Sequence, residues 1–484
     1  SILGPKGQFW PLIRFFDYYI RPPYAALNGK DFVMIDGTRE LVPNLNSAMP
    51  AVHVSRPMLH PNIYRKRILH IEGNPAPGDW VAVYHQQSDV QDRGPRPDHQ
   101  SGDDYSGGDR RDSRMQPRPR RDGELSANPS LFAYGIYNPR SEVAVRLYSW
   151  WGQWPDEAYW DKLMDNAVSL RRDVLKLDET TNAYRVLHGE SDGVPGLVVD
   201  RYGDCLSAEL FSLGMYQRVR PLLDRLAARL GTKHWLIQEC PQFLSQEGIG
   251  LPTVKSDSLP PAVTITENGV KYKVHFGTGH KTGFFCDQRD NRKMLASFSA
   301  GKNVLDLCCY TGGFSVQAAK AGQASDVTGV DLDEAPLAMA KKNADMNQTR
   351  VRFVQSDAFA FMRDMLRIGR QYDVVVLDPP KLIRSRNELE EGSKKHFDLN
   401  KLAIQLVKPG GILLTCSCAG LLDEVSFQSI VRSAAKATGF DEEGKPNPPR
   451  TLQFLHSSGA APDHPVVAHC PETGYLKSLW ARVL

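Results

Sequence analysis

The C-terminal half of the chain alternates short apolar runs with segments whose apolar residues recur at helical spacing. Apolar runs begin at Val304, Val327, Val351 and Val374, at intervals of 23, 24 and 23 residues, and again at Ile412. Helical spacing is found in residues 314–321, 335–347 and 359–368. Regular strand–helix alternation predicts a parallel sheet with helices on both faces, spanning residues 274–484. The last run, residues 475–483, is predicted to be an antiparallel edge strand.

Residues 51–150 show the period-two alternation of β-strands, in residues 80–85, 131–137 and 143–148. The segment 86–128, between the first two strands, is rich in Asp, Arg, Gly, Ser and Pro and cannot bury enough apolar surface to order itself. We expect a flexible insertion at a hairpin tip. Its six arginines between positions 110 and 121 fit either a solvated loop or an RNA-contacting arm.

Residues 151–273 are predicted to form a small α+β domain. Strand patterns at 196–201, 205–211 and 234–238 surround a helical pattern at 215–230, and no chemical motif stands out. Residues 1–50 show no clear periodicity and are left as an unassigned N-terminal extension. Because 484 residues exceed what one hydrophobic core supports, several domains are expected.

Composition narrows the class of protein only a little. The chain is 41% hydrophobic and 24% charged, which is typical of a soluble globular protein, and no apolar run is long enough to cross a bilayer. A cytoplasmic protein is therefore expected. The net charge of +3 is too small to indicate a partner. The eight cysteines include no CxxC motif, which favours reduced thiols over a disulfide framework and predicts no metal.

Three successive predicted strands end in turns that carry an acid. Asp306 precedes a turn that contains Gly312 and Gly313, where backbone N–H groups can approach a ligand at a helix N-terminus. Asp331 and Asp357 end the next two strands, suitably placed for ribose hydroxyls and an adenine amino group. The G-x-G-x-x-G fingerprint is absent, which argues against NAD. The three acids predict a nucleoside-binding crevice, although each one alone could simply cap a helix.

Two further strand ends carry reactive groups. Asp378-Pro379-Pro380-Lys381 follows the fourth strand, and its prolines stiffen a loop that fixes the direction of the carboxylate. The fifth strand ends in Thr415–Cys418, with thiols at Cys416 and Cys418. If the two strands are neighbours, a carboxylate and a thiol face one crevice. That pairing suits covalent chemistry on a flipped-out pyrimidine base.

Residues from about 54 to the C-terminus resemble the bacterial, PUA-containing, S-adenosylmethionine-dependent methyltransferases that modify cytosine C5 in 23S ribosomal RNA. The matching motifs are HPNIYRKRI (60–68), PGDWVAVY (77–84), YGIYNPRSEVAVRL (134–147), YRVLHGESDGVPGLVVDRYGD (184–204), KTGFFCDQRDNR (281–292), NVLDLCCYTGGF (303–314), DPPKL (378–382), GGILLTCSCAG (410–420) and DHPV…YLK (463–477). The resemblance implies a multidomain α/β protein. An N-terminal β-rich PUA-like domain (51–150) and a small α+β domain (151–273) precede a Rossmann-like, seven-stranded methyltransferase domain (274–484).

The resemblance also implies a chemistry and a set of site residues. S-adenosylmethionine is the implied cofactor and structured large-subunit ribosomal RNA the implied partner, with no membrane and no metal; the oligomeric state stays open. The predicted cofactor residues are Asp306, Tyr310, Gly312, Gly313, Phe314, Asp331, Leu332, Asp357 and Ala358. Gln288, Arg289, Pro379 and Pro380 are predicted to contact the substrate.

The family's motif selects Cys418 as the nucleophile that adds to cytosine C6, whereas related cytosine-C5 enzymes with a Thr-Cys-Ser motif select Cys416. We favour Cys418, with Asp378 on the N3/N4 edge of the base and Lys381 as the cation that promotes the thiolate. Two other functions stay open. One is a base N-methyltransferase acting on guanine or adenine, and the other is a non-catalytic RNA-binding assembly factor of the same fold.

Overall fold

The computed structural model describes residues 39–44, 48–85, 129–239, 247–248, 254–276, 283–437 and 449–484. The predicted insertion at 86–128 and most of the extension at 1–50 lie outside these ranges. In the described part of the chain, no helix has the length and apolar character needed to span a bilayer.

The first sheet has six strands and lies within residues 51–150. The strands are β1 (Ala51–Val54), β2 (Asn62–Tyr64), β3 (Ile68–Glu72), β4 (Trp80–His85), β5 (Ser130–Tyr137) and β6 (Val143–Trp150). Their order is β2-β6-β5-β4-β1-β3, with β1 and β4 parallel and the other pairs antiparallel. Its core contains Val52, Ile63, Val81 and Leu147, all fully buried. The three strands predicted from period-two alternation are confirmed.

The second sheet has five strands and lies within residues 183–255. Its elements are α1 (Glu157–Ser169), β7 (Ala183–His188), β8 (Leu197–Tyr202), β9 (Cys205–Leu210), α2 (Leu213–Tyr216), α3 (Val219–Leu230), β10 (His234–Glu239) and β11 (Val254–Lys255). The strand order is β11-β10-β9-β8-β7. The single helix predicted at 215–230 is two helices, because Arg218 has the non-helical angles φ −127 and ψ 5.

A hairpin joins the second sheet to the C-terminal part of the chain. It consists of β12 (Ala262–Glu267) and β13 (Val270–His275). The predicted domain boundary at 273/274 therefore falls inside β13. Tyr272 of the hairpin is fully buried and donates a hydrogen bond to the carbonyl of Gly313, 3.0 Å away. The hairpin thus packs against the helix that follows Gly313.

The third and largest sheet has seven strands. The elements of this region are α4 (Arg289–Ser297), β14 (Asn303–Leu307), α5 (Gly313–Lys320), β15 (Asp326–Asp331), α6 (Glu334–Met346), β16 (Arg352–Gln355), α7 (Ala358–Arg367), β17 (Tyr372–Leu377), α8 (Leu389–Leu406), β18 (Val407–Ser417), α9 (Glu424–Lys436), β19 (Leu452–Ser458) and β20 (Lys477–Val483). The order is β16-β15-β14-β17-β18-β20-β19. Strand β20 is antiparallel to both neighbours, as predicted, but it is not at the edge, because β19 pairs with its outer side.

Helices cover both faces of this sheet, and the central strand β17 shows how. Val374 and Val376 belong to one buried cluster, together with side chains from α4 and α5. Val375 and Leu377 belong to another, with side chains from α7 and α8. Because successive residues of a strand point to opposite faces, a continuous apolar run is what a strand buried on both sides requires. Each fully buried side chain of this kind contributes about 1.5–3 kcal/mol.

A buried carboxylate ties the second sheet to the third. Asp463 is fully buried and accepts hydrogen bonds from both terminal nitrogens of Arg289, at 2.8 and 3.0 Å, and from the backbone N–H of Arg185 on β7. Arg171 donates to the Asp463 carbonyl at 2.7 Å. Burial alone would raise the pKa of Asp463, but the charges of His464 and Arg289 hold it well below its usual value. These contacts connect the α+β region to α4.

The described end of the N-terminal extension packs against the rest of the chain. Leu41 is 2% exposed, and the Arg39 backbone N–H donates to the carbonyl of Gln217 at 2.7 Å. Arg218 donates to the carbonyl of Glu40 at 3.1 Å. Residues 39–44 are therefore part of the packed structure, although no sequence pattern indicated this.

Candidate active site

The predicted site residues lie at the carboxyl ends of five neighbouring parallel strands. Strand order changes direction between β14 and β17, and ligands bind beyond the carboxyl ends at such a switch point. Asp306 lies on β14, Asp331 ends β15 and Asp357 follows β16. Asp378 follows β17, and Cys418 follows β18. The fold therefore brings these five residues to one edge of the sheet.

Asp306 is the most deeply buried of these acids, at 1% exposure. Its Oδ2 accepts hydrogen bonds from the backbone N–H and the hydroxyl of Ser315, at 2.9 and 2.6 Å. Its Oδ1 is buried and has no hydrogen-bond partner among the described residues. Burial raises the pKa of Asp306 to about 7, even though the Ser315 hydrogen bonds oppose the rise. A buried acceptor without a donor is costly, which favours a ligand that supplies one.

The turn after β14 is shaped by left-handed backbone angles. Cys308, Tyr310 and Gly312 have φ of 62°, 50° and 77°. Asp331 holds this turn, because its Oδ2 accepts the Tyr310 N–H at 2.8 Å while its Oδ1 accepts the Asp333 N–H at 3.0 Å. Burial raises the pKa of Asp331, against the N–H groups that favour its charged form. Asp331 thus positions the glycine turn and keeps free lone pairs for a further donor.

The absence of a side chain at Gly312 lets two neighbouring side chains approach the turn closely. A Cβ at this position would lie 3.1 Å from Ala340 Cβ and 3.2 Å from Phe353 Cζ. Phe314, which was also predicted to contact the cofactor, is 6% exposed and packs in the core with Leu295. This favours a packing role for Phe314 over the predicted cofactor contact, and it shows that Gly312 is needed for the close approach of the turn to α6 and β16.

The remaining predicted cofactor residues lie at the ends of β15 and β16. Leu332 is 36% exposed and Ala358 is partly buried at the start of α7. The exposed Asp357 side chain accepts the Ala360 N–H at 3.0 Å and so caps α7. Asp357 therefore caps a helix, which was the alternative to a cofactor contact in the sequence analysis. Its side chain is also exposed to solvent at the strand end.

Asp378 is held in place by a buried amide. Gln288 is 3% exposed and its Nε2 donates to Asp378 Oδ2 at 3.0 Å. The Gln288 Oε1 accepts from Asn291 at 2.7 Å, which fixes the orientation of the amide. Of the two prolines after Asp378, Pro379 is buried and Pro380 is exposed. Gln288 therefore contacts the predicted carboxylate Asp378, and its own contact with the substrate stays a prediction.

The two thiols of β18 differ in exposure. Leu377 pairs with Thr415, so Asp378 and Cys416 occupy equivalent positions on neighbouring strands. Cys416 is fully buried, and its Sγ lies 3.3 Å from the hydroxyl of Ser478. Burial raises the pKa of the Cys416 thiol well above its usual value, and the Asp378 charge adds to this rise. Cys418, two residues further, is partly exposed. Accessibility therefore favours Cys418 as the nucleophile.

A buried cation beside the thiol turn was not among the predicted site residues. Lys381, the predicted one, is exposed. Lys477, the first residue of β20, is 7% exposed and lies opposite Ser417 of β18. Lys477 ends the matching motif DHPV…YLK, but only the antiparallel pairing of β18 with β20 shows that it lies beside the thiol turn. Cys418 is an electrostatic neighbour of Lys477.

Arg289 has a different environment from the one predicted. Its guanidinium is 2% exposed and forms the bidentate ion pair with Asp463 described above. A guanidinium committed to a buried carboxylate is not available to a substrate without breaking that pair, at a cost of about 3–5 kcal/mol. The structure therefore favours a structural role for Arg289 over the predicted substrate contact.

One cluster of possible metal ligands was not visible in the cysteine and histidine spacing. His60 Nε2 lies 3.6 Å from Cys470 Sγ and 2.5 Å from Glu472 Oε1, although His60 and Cys470 are 410 residues apart. The Asn62 N–H donates to His60 Nδ1 at 3.1 Å, so the neutral ring carries its proton on Nε2. A metal needs a lone pair on that nitrogen. The cluster is therefore explained by hydrogen bonding, and we assign no metal to it.

A second cluster lies on the six-stranded sheet. His53 and His70 stack with ring centroids 4.0 Å apart and an interplanar angle of 10°. Their Nε2 atoms are 3.0 and 3.2 Å from the same oxygen of Glu72. The shared position of the two nitrogens is thus already taken by the Glu72 oxygen. Among the described residues, these two clusters are the groups whose ligand atoms lie close enough together to hold a metal ion, and neither lies in the crevice.

Comparison with known proteins places the crevice in a defined class. A family model described as S-adenosylmethionine-dependent methyltransferase matches residues 255–450. Among solved structures, a methyltransferase complexed with SAH matches with a TM-score of 0.66 and 18% identity, covering 89% of this chain and 99% of its own. A SAM-dependent methyltransferase from Streptococcus mutans matches with a TM-score of 0.65 over the same shares of the two chains. The structures therefore share the fold of this chain, and residues 255–450 are similar to S-adenosylmethionine-dependent methyltransferases; together with the curated relatives described next, this confirms the predicted enzyme class and cofactor.

The comparison with curated sequences is more specific. Ribosomal RNA large subunit methyltransferase I of Vibrio vulnificus is 33% identical over 432 residues, covering 88% of this chain and 96% of its own length. The protein of the same name from Serratia proteamaculans is 36% identical over 375 residues, covering 74% and 89%. The chain belongs to the ribosomal RNA large subunit methyltransferase I family.

Proposed function

We propose that this methyltransferase forms 5-methylcytosine in large-subunit ribosomal RNA through a covalent adduct with Cys418. The observation that carries the proposal is the pairing of a partly exposed thiol with a carboxylate at the ends of neighbouring strands. Asp378 directly follows β17, and Cys418 directly follows β18. An N-methyltransferase, which attacks through a nitrogen lone pair, needs no thiol at this position. The printed name of the curated relatives supports ribosomal RNA as substrate.

The thiol is required because C5 of cytosine is a poor nucleophile. The Cys418 thiolate forms a bond to C6, and the electron pair of the C5–C6 double bond moves onto C5 and, by conjugation, toward N3. C5 can then form a bond to an electrophilic methyl group. Loss of the C5 proton to a base returns an electron pair to the ring, the double bond re-forms and the thiolate leaves. The substrate gains one methyl group, and Cys418 is regenerated.

Asp378 acts where charge develops on the ring. In its protonated form, the carboxyl group donates to N3 while its second oxygen accepts a hydrogen bond from the N4 amino group. Gln288 fixes the direction of the carboxyl group through the 3.0 Å contact with Oδ2. A preoriented partner of this kind stabilises the adduct without reorganisation and is typically worth about 3–4 kcal/mol.

The crevice has the polar groups that S-adenosylmethionine requires. The unpartnered Oδ1 of Asp306 can accept from the ammonium of the methionine moiety, and Asp331 and the glycine turn lie beside it for the ribose. Leu332 and Asp357 lie at the next strand ends, where the adenine is expected. When bound, S-adenosylmethionine would supply the electrophilic methyl group of its sulfonium, whose sulfur would keep the electron pair of the broken carbon–sulfur bond as a neutral thioether.

The N-terminal sheet is proposed to be a PUA-like RNA-binding domain. It presents an exposed basic turn, Arg65–Arg67, between β2 and β3, next to the exposed aromatic ring of Tyr64. Basic side chains supply phosphate attraction without sequence preference, and an exposed ring can stack on a base. The division into a PUA-like domain, a small α+β domain and a methyltransferase domain, acting in the cytoplasm, belongs to this proposal.

The two cysteines provide the test. The full-length protein with Cys418→Ser or Cys416→Ser is incubated with ribosomal RNA and S-adenosylmethionine, and modified nucleosides are identified by mass spectrometry. We expect wild type and Cys416→Ser to form 5-methylcytosine, and Cys418→Ser to lose at least about 1,000-fold in rate, as removal of a covalent nucleophile does. With 5-fluorocytosine in the RNA, wild type and Cys416→Ser should form a stable adduct and Cys418→Ser should not.

Other outcomes would identify another mechanism. Loss of methylation and of the adduct only in Cys416→Ser assigns attack to Cys416. Full activity in both variants would show that the reaction needs no covalent cysteine adduct. Detection of an N-methylated guanine or adenine instead of 5-methylcytosine replaces the proposed reaction, and binding of RNA without any methylation supports an assembly role.

A further inference from the structure

A buried lysine lies beside the turn that carries the proposed nucleophile. Lys477 opens β20 and pairs across the sheet with Ser417, the residue before Cys418. Its side chain is only 7% exposed. Its ammonium donates to the carbonyl of Ala419 at 2.5 Å and to that of Tyr475 at 2.8 Å. Lys477 therefore holds the turn that carries Cys418 through its contact with Ala419, the residue that follows Cys418.

The ammonium has hydrogen-bond acceptors but no carboxylate partner within ion-pair distance. In the described ranges, the lysines that form ion pairs within 4.0 Å are Lys233, Lys395 and Lys408. A buried charge without a counter-charge is unfavourable, and burial accordingly lowers the pKa of Lys477. The negative charge that most strongly opposes this lowering of the pKa is that of a Cys418 thiolate, and the exposed Asp423 contributes less. A thiolate at Cys418 is thus the natural counter-charge.

We propose that Lys477 is a positioning residue that promotes the thiolate form of Cys418 and fixes its direction. The ammonium stabilises the negative sulfur, and its two carbonyl contacts hold the turn at Ala419 in the conformation that presents the thiol to the crevice. This inference rests on the proposed role of Cys418 in cytosine methylation, but its central claim concerns the reactivity of the thiol itself.

The other groups around the pocket do not provide this charge. The titratable and charged groups from the elements packed there are Cys416 on β18, Asp378 and Lys381 after β17, His396 on α8, Asp423 and Glu424 at the start of α9, and Lys477 on β20. The carboxylates disfavour a thiolate. Burial and the nearby Lys477 charge lower the pKa of His396 to about 4, so its ring is neutral near pH 7. Lys381 is exposed and screened by solvent.

The neutral His396 has a place in the same arrangement. It is 1% exposed, and its Nε2 lies 3.1 Å from the hydroxyl of Ser417, which faces the opposite side of the strand end from Cys416. Ser417 is thereby held between His396 and the β20 pairing. The residues on both sides of Cys418, Ser417 and Ala419, are fixed by buried contacts, whereas the thiol itself is partly exposed. This is the arrangement expected of a rigidly presented nucleophile.

The test measures thiol reactivity without RNA or methyl donor. The full-length protein is alkylated with iodoacetamide across a pH series, and the rate at Cys418 is followed by mass spectrometry of its peptide. Lys477→Gln keeps donors for the two carbonyls but removes the charge; Lys477→Arg keeps the charge. An adjacent opposite charge shifts a pKa by about one to three units, so we expect alkylation of Lys477→Gln to be about 10-fold or more slower near pH 7 and to approach the wild-type rate at high pH.

Two control variants decide the interpretation. Lys477→Arg should retain most of the wild-type pH profile, which a purely structural lysine would not predict, and Lys381→Gln should leave the profile unchanged. An unshifted profile in Lys477→Gln, or a shift in Lys381→Gln instead, overturns the inference. If Lys477→Gln proves unstable in thermal melts, the profile of Lys477→Arg still decides, because loss of its low-pH reactivity contradicts the charge-based role. A shifted alkylation profile together with normal methylation by Cys418→Ser would retain this inference and reject the proposed function.

Discussion

Asp306 is expected to reduce the stability of the ligand-free enzyme while serving cofactor binding. We consider Asp306→Asn, which keeps an oxygen acceptor for the two Ser315 donors and removes the negative charge. The wild-type carboxyl is 1% exposed and has one oxygen without a partner in the described structure. In the folded protein its pKa is about 7, against the usual value of 3.8 expected for the unfolded chain.

The sign and size of the effect follow from these two pKa values. Between pH 3.8 and 7 the native protein binds a proton that the unfolded chain has released, so the stability contributed by this group falls as pH rises. Above the folded pKa the loss levels off at about 4 kcal/mol, taking about 1.4 kcal/mol for each pKa unit. Asp306→Asn avoids this loss. The stability of the variant relative to wild type should therefore increase by about 2.5 kcal/mol between about pH 5 and about pH 8.5.

The measurement is urea unfolding of both ligand-free proteins at the two pH values. Asp357→Asn is the matched control, because Asp357 is an exposed acid at a neighbouring strand end and Asn serves equally well as a helix cap. Its effect should stay within about 0.5 kcal/mol at both pH values. In calorimetry, Asp306→Asn should bind S-adenosylmethionine about 10-fold or more weakly, because a charged hydrogen bond is lost. A variant with unchanged pH dependence would refute the burial argument, and unchanged affinity would refute the cofactor contact.

Two further predictions concern the framework of the site. Asp463→Asn leaves the buried Arg289 guanidinium without its counter-charge. It should lower the free energy of unfolding at pH 7 by about 3–5 kcal/mol, measured by urea unfolding. Because the pKa of Asp463 is lowered in the folded protein, the difference in stability from wild type should shrink below about pH 4. Gly312→Ala adds a Cβ at φ 77°, 3.1 Å from Ala340, and should cost about 1–2 kcal/mol. It should also weaken calorimetric S-adenosylmethionine binding, whereas Gly301→Ala, at φ 67° in open space, should leave the affinity unchanged.

The contrast between the two β18 thiols shows how the fold separates similar residues. Cys416 lies within the strand, opposite Ser478 of β20, and its side chain is enclosed by the pairing. Cys418 lies beyond the last paired residue of β18, where backbone pairing ends, and it is partly exposed. Two residues of chain therefore decide between a packed thiol and an accessible one.

Elements with strong local signals were predicted well from sequence. The parallel strands β14, β15 and β17 are continuous apolar runs because helices cover both faces, and they lie within one or two residues of the predicted positions. The acids at the strand ends were recognised because a parallel sheet places all its carboxyl ends at one edge. The prediction that Asp378 and the thiols share a crevice required β17 and β18 to be neighbours, and they are.

Elements whose character depends on distant partners were not predicted. Strand β20 was placed at the edge because nothing in residues 475–483 indicates the outer strand β19, whose side chains are largely exposed. Arg289 was assigned to the substrate from the family resemblance, which says nothing about its distant partner. Its actual partner, Asp463, is 174 residues away in the chain.

By itself, the sequence determined the class of the sheet and the acidic strand ends, and it placed Asp378 and Cys418 at two further strand ends, because these features depend on local periodicity and on the short turns that end each strand. The tertiary structure alone decided which groups are buried and which are paired. It buried Cys416, committed Arg289 to Asp463 and brought Lys477 beside the thiol turn. Burial and charge pairing depend on contacts between residues far apart in the chain, and no local pattern records them.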